Sequence, residues 1–321
     1  MSEFVGVDVG GTKVVAAPLV GGRLGEPRLE PTKTESGEAL VEQIVGAVAA
    51  VRTPGAAAVG VGVPSVVDFA TGRIRSSVNV PLADLPLREL LSDRIGLPVY
   101  VENDASCAAL AEAHDDGKLV TPDLVLFTVG TGVGGGLVLD GKLYRGSTGA
   151  AAEVGHTLIG LALSDGVPAP VGRPPWPGSL EAVASGRALD RLAHAAAERD
   201  PGSELGQRLA RGEEITGHDV VELAQGGDAG ALGLLETLGE RLGVGIANAI
   251  NVFDPREVVV GGGVSLAGEL LLAPARRVAE TYTVPGVGTE TRIRVARHGP
   301  QAGLYGAALI ALQEHAKDQA S

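Results

Sequence analysis

The sequence contains a single cysteine, Cys107, among its 321 residues. One thiol excludes an internal disulfide and any metal centre built from several cysteines. Aromatic residues are also scarce, with four Phe, four Tyr and one Trp. Because nucleic acids are bound through cations and aromatic faces, this scarcity and a net charge of -13 argue against a nucleic acid as partner.

Long apolar runs are missing as well. None approaches the length that crosses a bilayer, and Met1-Ser2-Glu3 lacks the basic and apolar segments of a secretion signal. We therefore expect a soluble, cytoplasmic protein with no membrane partner. Its length and its 45% of hydrophobic residues are sufficient for two domains, each with its own core.

Glycine, in contrast, is abundant, and one cluster lies in Asp8-Val-Gly-Gly-Thr-Lys13 between two apolar runs. This pattern predicts a turn between two strands. Gly10 and Gly11 lack a Cβ atom, so their backbone can approach a bulky anion closely. Asp8 adds a carboxylate able to hold a hydrated divalent metal. Thr12 adds a hydroxyl, and Lys13 adds a cation. The alternative is an ordinary hairpin.

A second cluster, Gly-Thr-Gly-Val-Gly-Gly-Gly at residues 130–136, has five glycines in seven positions. Successive backbone N–H groups in such a turn form an anion-binding concavity, to which Thr131 adds a hydroxyl. The spacing matches neither the P-loop nor the dinucleotide-binding fingerprint, and a strand follows instead of a helix. Together the two clusters predict a pair of phosphate-binding turns.

The apolar pattern predicts one order of elements twice. In the first half, strands are predicted at 4–9, 14–20 and 24–33. They precede a helix at 40–48, a strand at 56–63, a helix at 87–95, a strand at 97–101 and a helix at 105–113. In the second half, strands at 123–129, 133–140 and 142–145 precede helices at 180–197, 219–225 and 229–252, a strand at 257–260, a helix at 266–282, a strand at 292–296 and a helix at 303–314. Mixed strands followed by alternating helices and strands indicate two similar α/β domains.

A polar turn at residues 116–118 predicts the boundary between these domains. We expect an N-terminal lobe of residues 1–117 plus 302–321 and a C-terminal lobe of residues 118–301. If the lobes face each other, both glycine turns meet at one cleft. Residues 164–178 contain five prolines and are expected to form a stiff loop.

Between the glycine clusters lies Glu102-Asn103-Asp104-Ala105, where a predicted buried strand ends and a helix begins. The carboxyl ends of strands are where open α/β sheets place reacting groups. Asp104 could accept a proton from a hydroxyl that attacks a γ-phosphoryl group. Asn103 or Asp104 could equally cap the helix, and the two roles are compatible.

These segments, with Ala152-Glu-Val-Gly-His156, resemble the ordered motifs of the ROK family of bacterial sugar kinases and sugar-responsive repressors. The resemblance extends from about residue 4 to the final helix. It implies two RNase H-like domains of the actin/hexokinase type, each a mixed sheet covered by helices, with the active site in the cleft between them. It also implies ATP and Mg²⁺ as cofactors and a homodimer as the assembly.

The resemblance assigns roles to single residues. Asp104 matches the catalytic base. The residues that match sugar ligands are Asn103, Asp104, Glu153, His156 and Glu181. Those that match the ATP site are Asp8, Gly10, Gly11, Thr12 and Lys13 in the first turn, Gly130, Thr131, Gly132, Gly134 and Gly135 in the second, and Gly262 beside the adenosine. Asp8 would hold Mg²⁺ through water. From the residues alone, without the family resemblance, Glu181 is interpreted as a carboxylate at a helix start and His156 as a buried, hydrogen-bonded histidine.

The sequence departs from the family pattern before Leu180-Glu181. Many relatives have a cysteine-rich segment there that binds structural zinc with the histidine, whereas residues 171–181 contain no cysteine. Because His156 alone cannot complete a tetrahedral site, we predict no zinc, with proline stiffness and packing of Trp176 holding the loop. Ser65 stands where relatives have glycine, and its side chain could trim the sugar pocket.

The sequence thus predicts a kinase that transfers the γ-phosphoryl of ATP to a hexose, with the 6-hydroxyl of glucose as the expected acceptor. Mannose, fructose or an N-acetylhexosamine is an alternative acceptor, because these sugars differ by one or two substituents. A catalytically silent sugar-binding protein is another alternative, and polyphosphate is an alternative donor. A family repressor is not expected, because no DNA-binding domain precedes the strand that begins at Phe4.

Overall fold

The computed structural model of the chain describes residues 3–77, 79–163, 166–170 and 172–320. The chain divides into two compact units. Unit 1 comprises residues 1–124, 136–152 and 298–321, and unit 2 comprises residues 125–135 and 153–297. No helix among the described residues is both long enough and apolar enough to span a membrane.

Unit 1 is organised around a mixed sheet of six strands. Its strands are β1 (Glu3–Val9), β2 (Lys13–Val20), β3 (Arg23–Leu24), β4 (Arg28–Pro31), β5 (Ala56–Val63) and β8 (Val99–Asn103). The order is β3-β2-β1-β5-β8, with β4 also paired to β2. The strands β1, β5 and β8 are parallel to one another, whereas β2 is antiparallel to β1. Valines of β1, β2, β5 and β8 form one hydrophobic core with the buried apolar side chains of the helices at residues 37–51 and 87–95.

The helices of unit 1 are α1 (Gly37–Val51), α2 (Leu87–Ile95), α3 (Asp104–Glu112) and α10 (Ala302–Ala320). Helix α10 approaches β5 and α3 closely, because a glycine lies at each contact. A Cβ atom on Gly60 of β5 would lie 1.8 Å from the carbonyl oxygen of Ala307, and one on Gly306 would lie 1.7 Å from that of Cys107. Helix α10 therefore packs directly on the sheet backbone and on α3, which fixes the helix that begins at Asp104.

The sequence predictions for unit 1 are largely confirmed. The predicted helix at 40–48 is α1, which Ser36 caps with its Oγ accepting the N–H of Ala39. The predicted strand at 24–33 is wrong, because β3 and β4 are two short strands. A hairpin of β6 (Ser65–Asp68) and β7 (Arg73–Ser77) was not predicted, nor was the pair β9 (His114–Asp115) and β10 (Lys118–Leu119). These strands are short and only partly apolar, so they carry little periodic signal.

A second sheet has the order β13-β12-β11-β14-β15. Its strands are β11 (Leu124–Val129), β12 (Val133–Leu139), β13 (Lys142–Leu143), β14 (Glu257–Gly261) and β15 (Arg292–Val295). Within unit 2, β14 and β15 are parallel. The predicted strands at 123–129, 133–140, 257–260 and 292–296 are confirmed to within one residue at each end, whereas the strand expected at 142–145 ends at Leu143.

Unit 2 also contains six α-helices in its described part. They are α4 (Leu180–Ala184), α5 (Gly186–Arg199), α6 (Glu204–Ala210), α7 (Gly217–Gln225), α8 (Ala229–Phe253) and α9 (Glu269–Tyr282). The prediction of a single helix at 180–197 is wrong, because the helix is interrupted at Ser185. The Oγ of Ser185 caps α5 by accepting the N–H of Ala188. Helix α6 was not predicted, since its seven residues give too short a pattern.

Candidate active site

The first predicted site lies at the carboxyl ends of parallel strands in unit 1. Asp8 of β1 is paired in register with Gly62 of β5, and Gly62 in turn with Glu102 of β8. A Cβ atom on Gly62 would lie 3.7 Å from the Cα atom of Asp104 and 3.3 Å from the Sγ atom of Cys107. The structure therefore brings Asp8 and the Asn103–Asp104 pair to one edge of one sheet, as strand topology predicts.

Asp8 is held in a mostly buried position beside the first turn of α10. A Cβ atom on Gly303 would lie 2.9 Å from both Cγ and Oδ1 of Asp8, so a side chain there would displace the carboxylate. Burial raises the pKa of Asp8 to about 6, and the charge of Lys13 opposes this rise. A buried carboxylate that is poorly solvated gains strongly from a cation, which suits a metal ligand.

The first glycine turn is closed by backbone hydrogen bonds. The N–H of Gly10 donates to the carbonyl of Lys13 over 2.8 Å, and the N–H of Thr32 donates to the carbonyl of Thr12 over 3.1 Å. The hydroxyl of Thr32 donates to the carbonyl of Gly10 over 2.7 Å. Thr12 and Gly11 are exposed at the tip. The turn is thus tied to the loop after β4 while its tip faces solvent.

The Asn103–Asp104 pair forms the junction of β8 and α3. The Oδ1 atom of Asn103 accepts the N–H of Ser106 over 3.0 Å, and its Nδ2 donates to the carbonyl of Ser65 over 3.3 Å. The Oδ1 atom of Asp104 accepts the N–H of Ala105 over 2.8 Å. The helix-cap role of Asn103 is therefore confirmed, and it holds Asp104 in the first turn of α3.

Ser65, whose side chain was predicted to trim a sugar pocket, forms hydrogen bonds to two other segments of unit 1. Its hydroxyl donates to the Oγ of Ser77 over 2.9 Å, and the hydroxyl of Ser77 donates to the carbonyl of Val80. The side chain of Ser65 thus ties β6 to β7, while its carbonyl orients the amide of Asn103. Its effect on a sugar pocket stays a prediction.

The second glycine turn, residues 130–136, connects β11 to β12. The N–H of Gly130 donates to the carbonyl of Gly132 over 2.9 Å. The N–H of Val133 donates to Oε2 of Glu181 over 2.8 Å, and a Cβ atom on Gly132 would lie only 2.3 Å from that oxygen. One backbone N–H of this turn therefore already donates to a carboxylate oxygen, which is the type of contact that an anion would make there.

Two of the segments that carry sugar-ligand matches outside unit 1 meet the backbone of Val133. Glu181 accepts the N–H of Val133, and a Cβ atom on Gly155 would lie 2.0 Å from the carbonyl of Val133. Glu153 and His156 flank Gly155 in a single 3-10 turn, with Oε2 of Glu153 3.8 Å from Nε2 of His156. Side chains that accept hydroxyl hydrogens are therefore grouped at the start of β12.

This group is linked to the loop before it. The N–H of Leu180 donates to the carbonyl of Thr157 over 2.9 Å, and the N–H of Ile159 donates to the carbonyl of Gly178 over 2.8 Å. Trp176 is half-buried there, and its carbonyl accepts the N–H of Ser179 over 3.0 Å. Of the predicted loop at 164–178, residues 164, 165 and 171 lie outside the described part of the chain.

The second turn also opens on a cavity of about 390 Å³ in unit 2, within the size range of small-molecule sites. Its lining residues are Gly130, Thr131, Gly186, Arg187, Asp190, Thr216, Gly217, His218, Val221, Gly263, Val264 and Leu266. Gly130 and Thr131 were predicted. The starts of α5 and α7 were not assigned to the site, although the capping residues Ser185 and Thr216 mark both starts in the sequence.

Gly262 lies at the end of β14, next to this cavity. Its φ angle is +86°, and a Cβ atom would lie 2.4 Å from the carbonyl oxygen of Val129. A glycine is required there for both reasons. The close approach of β14 to the end of β11 places residues 262–263 against the residue that precedes the second glycine turn.

Asp8 offers a carboxylate that could hold Mg²⁺ at this end of the sheet. Among the described residues, no group of three or more His, Cys, Asp or Glu side chains could hold a metal ion. Mg²⁺ is commonly bound through one or two carboxylates, several waters and the phosphates of a substrate, so a lone buried carboxylate fits the ion. Cys107 takes no part in such chemistry, because burial raises the pKa of its thiol.

Two α/β units, each with a glycine turn after its leading strand, define the actin/hexokinase class of fold. The model of the ROK family matches residues 4–314. The chain therefore belongs to the ROK family, and the predicted family and fold are confirmed.

Known proteins similar to this chain include sugar kinases. A glucokinase from Halalkalibacterium halodurans is 34% identical over 97% of this chain and 95% of its own length. The crystal structure of a ROK family glucokinase from Streptomyces griseus, in complex with glucose and AMPPNP, has 34% identity and a TM-score of 0.81, covering 97% of this chain and 100% of that one. An N-acetyl-D-glucosamine kinase from Pasteurella multocida is 33% identical over 96% of this chain and 99% of its own length.

Proposed function

We propose that the protein is an ATP-dependent hexose kinase that phosphorylates the 6-hydroxyl of glucose. The observation that carries the proposal is that Glu181 and the short turn holding Glu153 and His156 both meet the backbone of Val133, Glu181 by a hydrogen bond and the turn through Gly155, within a phosphate-type glycine turn. Carboxylates and imidazole accept hydrogens from several sugar hydroxyls at once and so fix the orientation of the sugar.

In this proposal Asp104 is the general base. Its carboxylate accepts the proton of the 6-hydroxyl while that oxygen forms a bond to the γ-phosphorus of ATP, and the bond from this phosphorus to the bridging oxygen of ADP breaks. Asn103 holds a neighbouring hydroxyl. The glycine turns bind the phosphates through backbone N–H groups, with Thr12, Lys13 and Thr131 adding side-chain contacts. A bound Mg²⁺, which Asp8 would hold through water, supplies charge neutralisation on the phosphates.

The cavity in unit 2 is proposed as the nucleoside site. It lies beside the second turn and is lined by the starts of α5 and α7, where the positive ends of the helix dipoles favour a negatively charged ligand. Arg187, Asp190 and His218 add polar side chains to its wall. Gly263, which follows Gly262, borders it without a side chain, which leaves room for a flat ring system.

Release of ADP, measured across a panel of sugars with ATP or polyphosphate as donor, tests this proposal. We expect glucose with ATP to give the highest kcat/KM. A preference for N-acetylglucosamine would support the second candidate, which the Pasteurella multocida relative suggests. Sugar binding without turnover would indicate a silent sugar-binding protein, and turnover with polyphosphate alone would exclude ATP as the donor.

Replacing Asp104 with Ala tests the assigned base. We expect kcat to fall by about 10²- to 10⁴-fold, the usual contribution of a positioned general base. Glucose affinity should stay within about tenfold, since this proton transfer occurs only in the transition state. Asp93→Ala, at an exposed position on α2, is the matched control. Near-normal turnover of the Asp104 variant would exclude it as the base.

We further propose that the protein is cytoplasmic and acts as a homodimer, as the family resemblance implies. Light scattering coupled to size exclusion measures the assembly directly. A single species at the 32.4 kDa mass of one chain would contradict the dimer.

A further inference from the structure

The residue before the Asn103–Asp104 pair, Glu102, is buried and doubly bonded. Its side chain is 2% exposed. Its Oε1 atom accepts the backbone N–H of Asn103 over 2.9 Å, and its Oε2 atom accepts Nε–H of Arg145 over 2.6 Å. One carboxylate therefore connects the backbone of the proposed catalytic turn to a distant arginine.

Arg145 is itself held from three sides. It follows β13, and besides Glu102 its guanidinium donates to Oε1 of Glu314 on α10 over 3.2 Å. Its Cζ atom lies 3.6 Å from the centroid of the Phe69 ring, in the range of a cation–π contact. Glu314 also accepts Nζ–H of Lys317 over 3.0 Å. The planar guanidinium is thus fixed in orientation, and so is the carboxylate that it binds.

Stability alone does not explain this arrangement. Replacing a buried ion pair by apolar residues of similar volume often leaves a protein equally stable or more stable, because the charges lose their hydration. Burial raises the pKa of Glu102, and the charge of Arg145 opposes that rise. Glu314 acts on Glu102 in the same direction as burial, since its negative charge also raises the pKa of Glu102.

We propose that Arg145 is a positioning residue for phosphoryl transfer, acting through Glu102 on the turn that holds Asn103 and Asp104. The inference rests on the proposed function for its catalytic meaning. Arg145 keeps Glu102 ionised and oriented, Glu102 holds the N–H of Asn103, and the turn presents the carboxylate of Asp104 at a fixed angle. A small error in such a carboxylate reduces turnover strongly, because the reacting atoms must meet in a narrow geometry.

Two variants and a control test the proposal through kcat. In Arg145→Met, Glu102 loses its cation, so we expect kcat to fall at least tenfold at pH 7. The acid limb of the pH profile should also move to higher pH by half a unit or more, because Glu102 then takes up a proton more readily. The double variant E102M/R145M leaves no unpaired charge. It should melt at or above the wild-type temperature, lack the acid-limb shift, and still lose at least tenfold in kcat.

The control is Arg94→Met, which breaks ion pairs to Glu38 and Glu42 on the surface of unit 1 and should change kcat less than twofold. If Arg145→Met does not fold, the double variant decides alone. A folded double variant with kcat within twofold of wild type would overturn the proposal.

Hydrogen exchange separates this inference from the proposed function. In E102M/R145M, the amides of residues 102–106 should exchange at least threefold faster than in Arg94→Met, because the N–H of Asn103 loses its acceptor. If the wild type phosphorylates no sugar, the proposed function fails, and amide exchange at residues 102–106 is then the only test of the positioning role. Unchanged protection of these amides would then reject Arg145 as a positioning residue.

Discussion

The two glycine turns, residues 8–13 in unit 1 and residues 130–136, of which 130–135 belong to unit 2, differ in what they offer a ligand. The first turn carries charged side chains, Asp8 and Lys13, around only two glycines. The second turn has no charged residue of its own, and its one observed carboxylate contact reaches a backbone amide, the N–H of Val133.

The difference indicates a division of work. Side-chain charge at the first turn suits a metal ion and the most highly charged part of a phosphate chain, since buried charges interact strongly. Backbone amides at the second turn suit a phosphate at close range, because glycine removes the Cβ atoms that would keep it away. Substitutions that affect one type of contact and spare the other test this division.

The largest effect is expected at Asp8. Asp8→Asn keeps the size of the side chain and removes its charge, so the metal loses its protein ligand. We expect kcat to fall by about 10²- to 10³-fold, the range typical for the loss of one key electrostatic contact. The measurement is steady-state turnover at several Mg²⁺ concentrations, with Asp93→Asn as a control on the exposed face of α2. Wild-type kcat in Asp8→Asn would remove the metal role from the first turn.

The same variant should be more stable than the wild type at neutral pH. The pKa of Asp8 rises from 3.8 to about 6 on folding, so the folded state binds more protons between these values and loses stability as the pH rises through them. Asp8→Asn escapes this loss, which amounts to roughly 2–3 kcal/mol above pH 6. Denaturant unfolding in Mg²⁺-free buffer should show the gain at pH 7 and a much smaller one at pH 4. An equal gain at both pH values would contradict the buried-carboxylate argument.

A smaller effect is expected at Gly132 in the second turn. A methyl group there would collide with Oε2 of Glu181, so Gly132→Ala must displace the carboxylate from the N–H of Val133. We expect KM for ATP to rise about tenfold, since one charge-assisted hydrogen bond contributes on the order of 1.5 kcal/mol. The matched control is Gly233→Ala on the exposed face of α8, where an added Cβ atom meets nothing within 4 Å. Equal KM values for the two variants would show that Glu181 does not shape the turn.

The pH dependence should shift by only a few-fold in rate, and it should depend on Mg²⁺. At low Mg²⁺ the acid limb of kcat/KM for ATP is expected near pH 6, where Asp8 takes up its proton. Because the cation favours the ionised carboxylate, raising Mg²⁺ should move this limb to lower pH. Profiles at two Mg²⁺ concentrations are sufficient. An acid limb that does not move would place the metal elsewhere.

The sequence predicted the strand ends better than the contacts around them. Asp8, Asn103 and Asp104 were found because glycine turns and strand-to-helix junctions leave local signals, and parallel strands bring their carboxyl ends to one edge. The partners of these residues come from distant segments. No periodicity or spacing indicates that Gly303 abuts Asp8, that Arg145 binds Glu102, or that Ser65 holds Asn103.

In unit 2 the same limit applies to the cavity. The turn at residues 130–136 was predicted from its glycines, whereas Arg187 and His218 follow ordinary helix caps whose meeting depends on how α5 and α7 pack. The grouping of Glu153, His156 and Glu181 was expected only from the family resemblance. The close approach of Gly155 to Val133 brings the turn of Glu153 and His156 near the residue that Glu181 binds, and sequence spacing does not reveal this approach.

The smallest expected effect concerns zinc in unit 2. The hydrogen bonds from Ile159 and Gly160 to the carbonyl of Gly178, with half-buried Trp176, hold the segment before Glu181 without metal ligands. Treating the purified protein with a zinc chelator should therefore change neither its melting temperature nor its kcat, and elemental analysis should find well under one zinc per chain. Trp176→Ala, in contrast, should loosen this segment and raise KM for the sugar a few-fold, because the loop leads directly into Glu181. Stoichiometric zinc, or a melting temperature that falls on chelation, would show that His156 has metal-binding partners and that backbone hydrogen bonds alone do not hold this region.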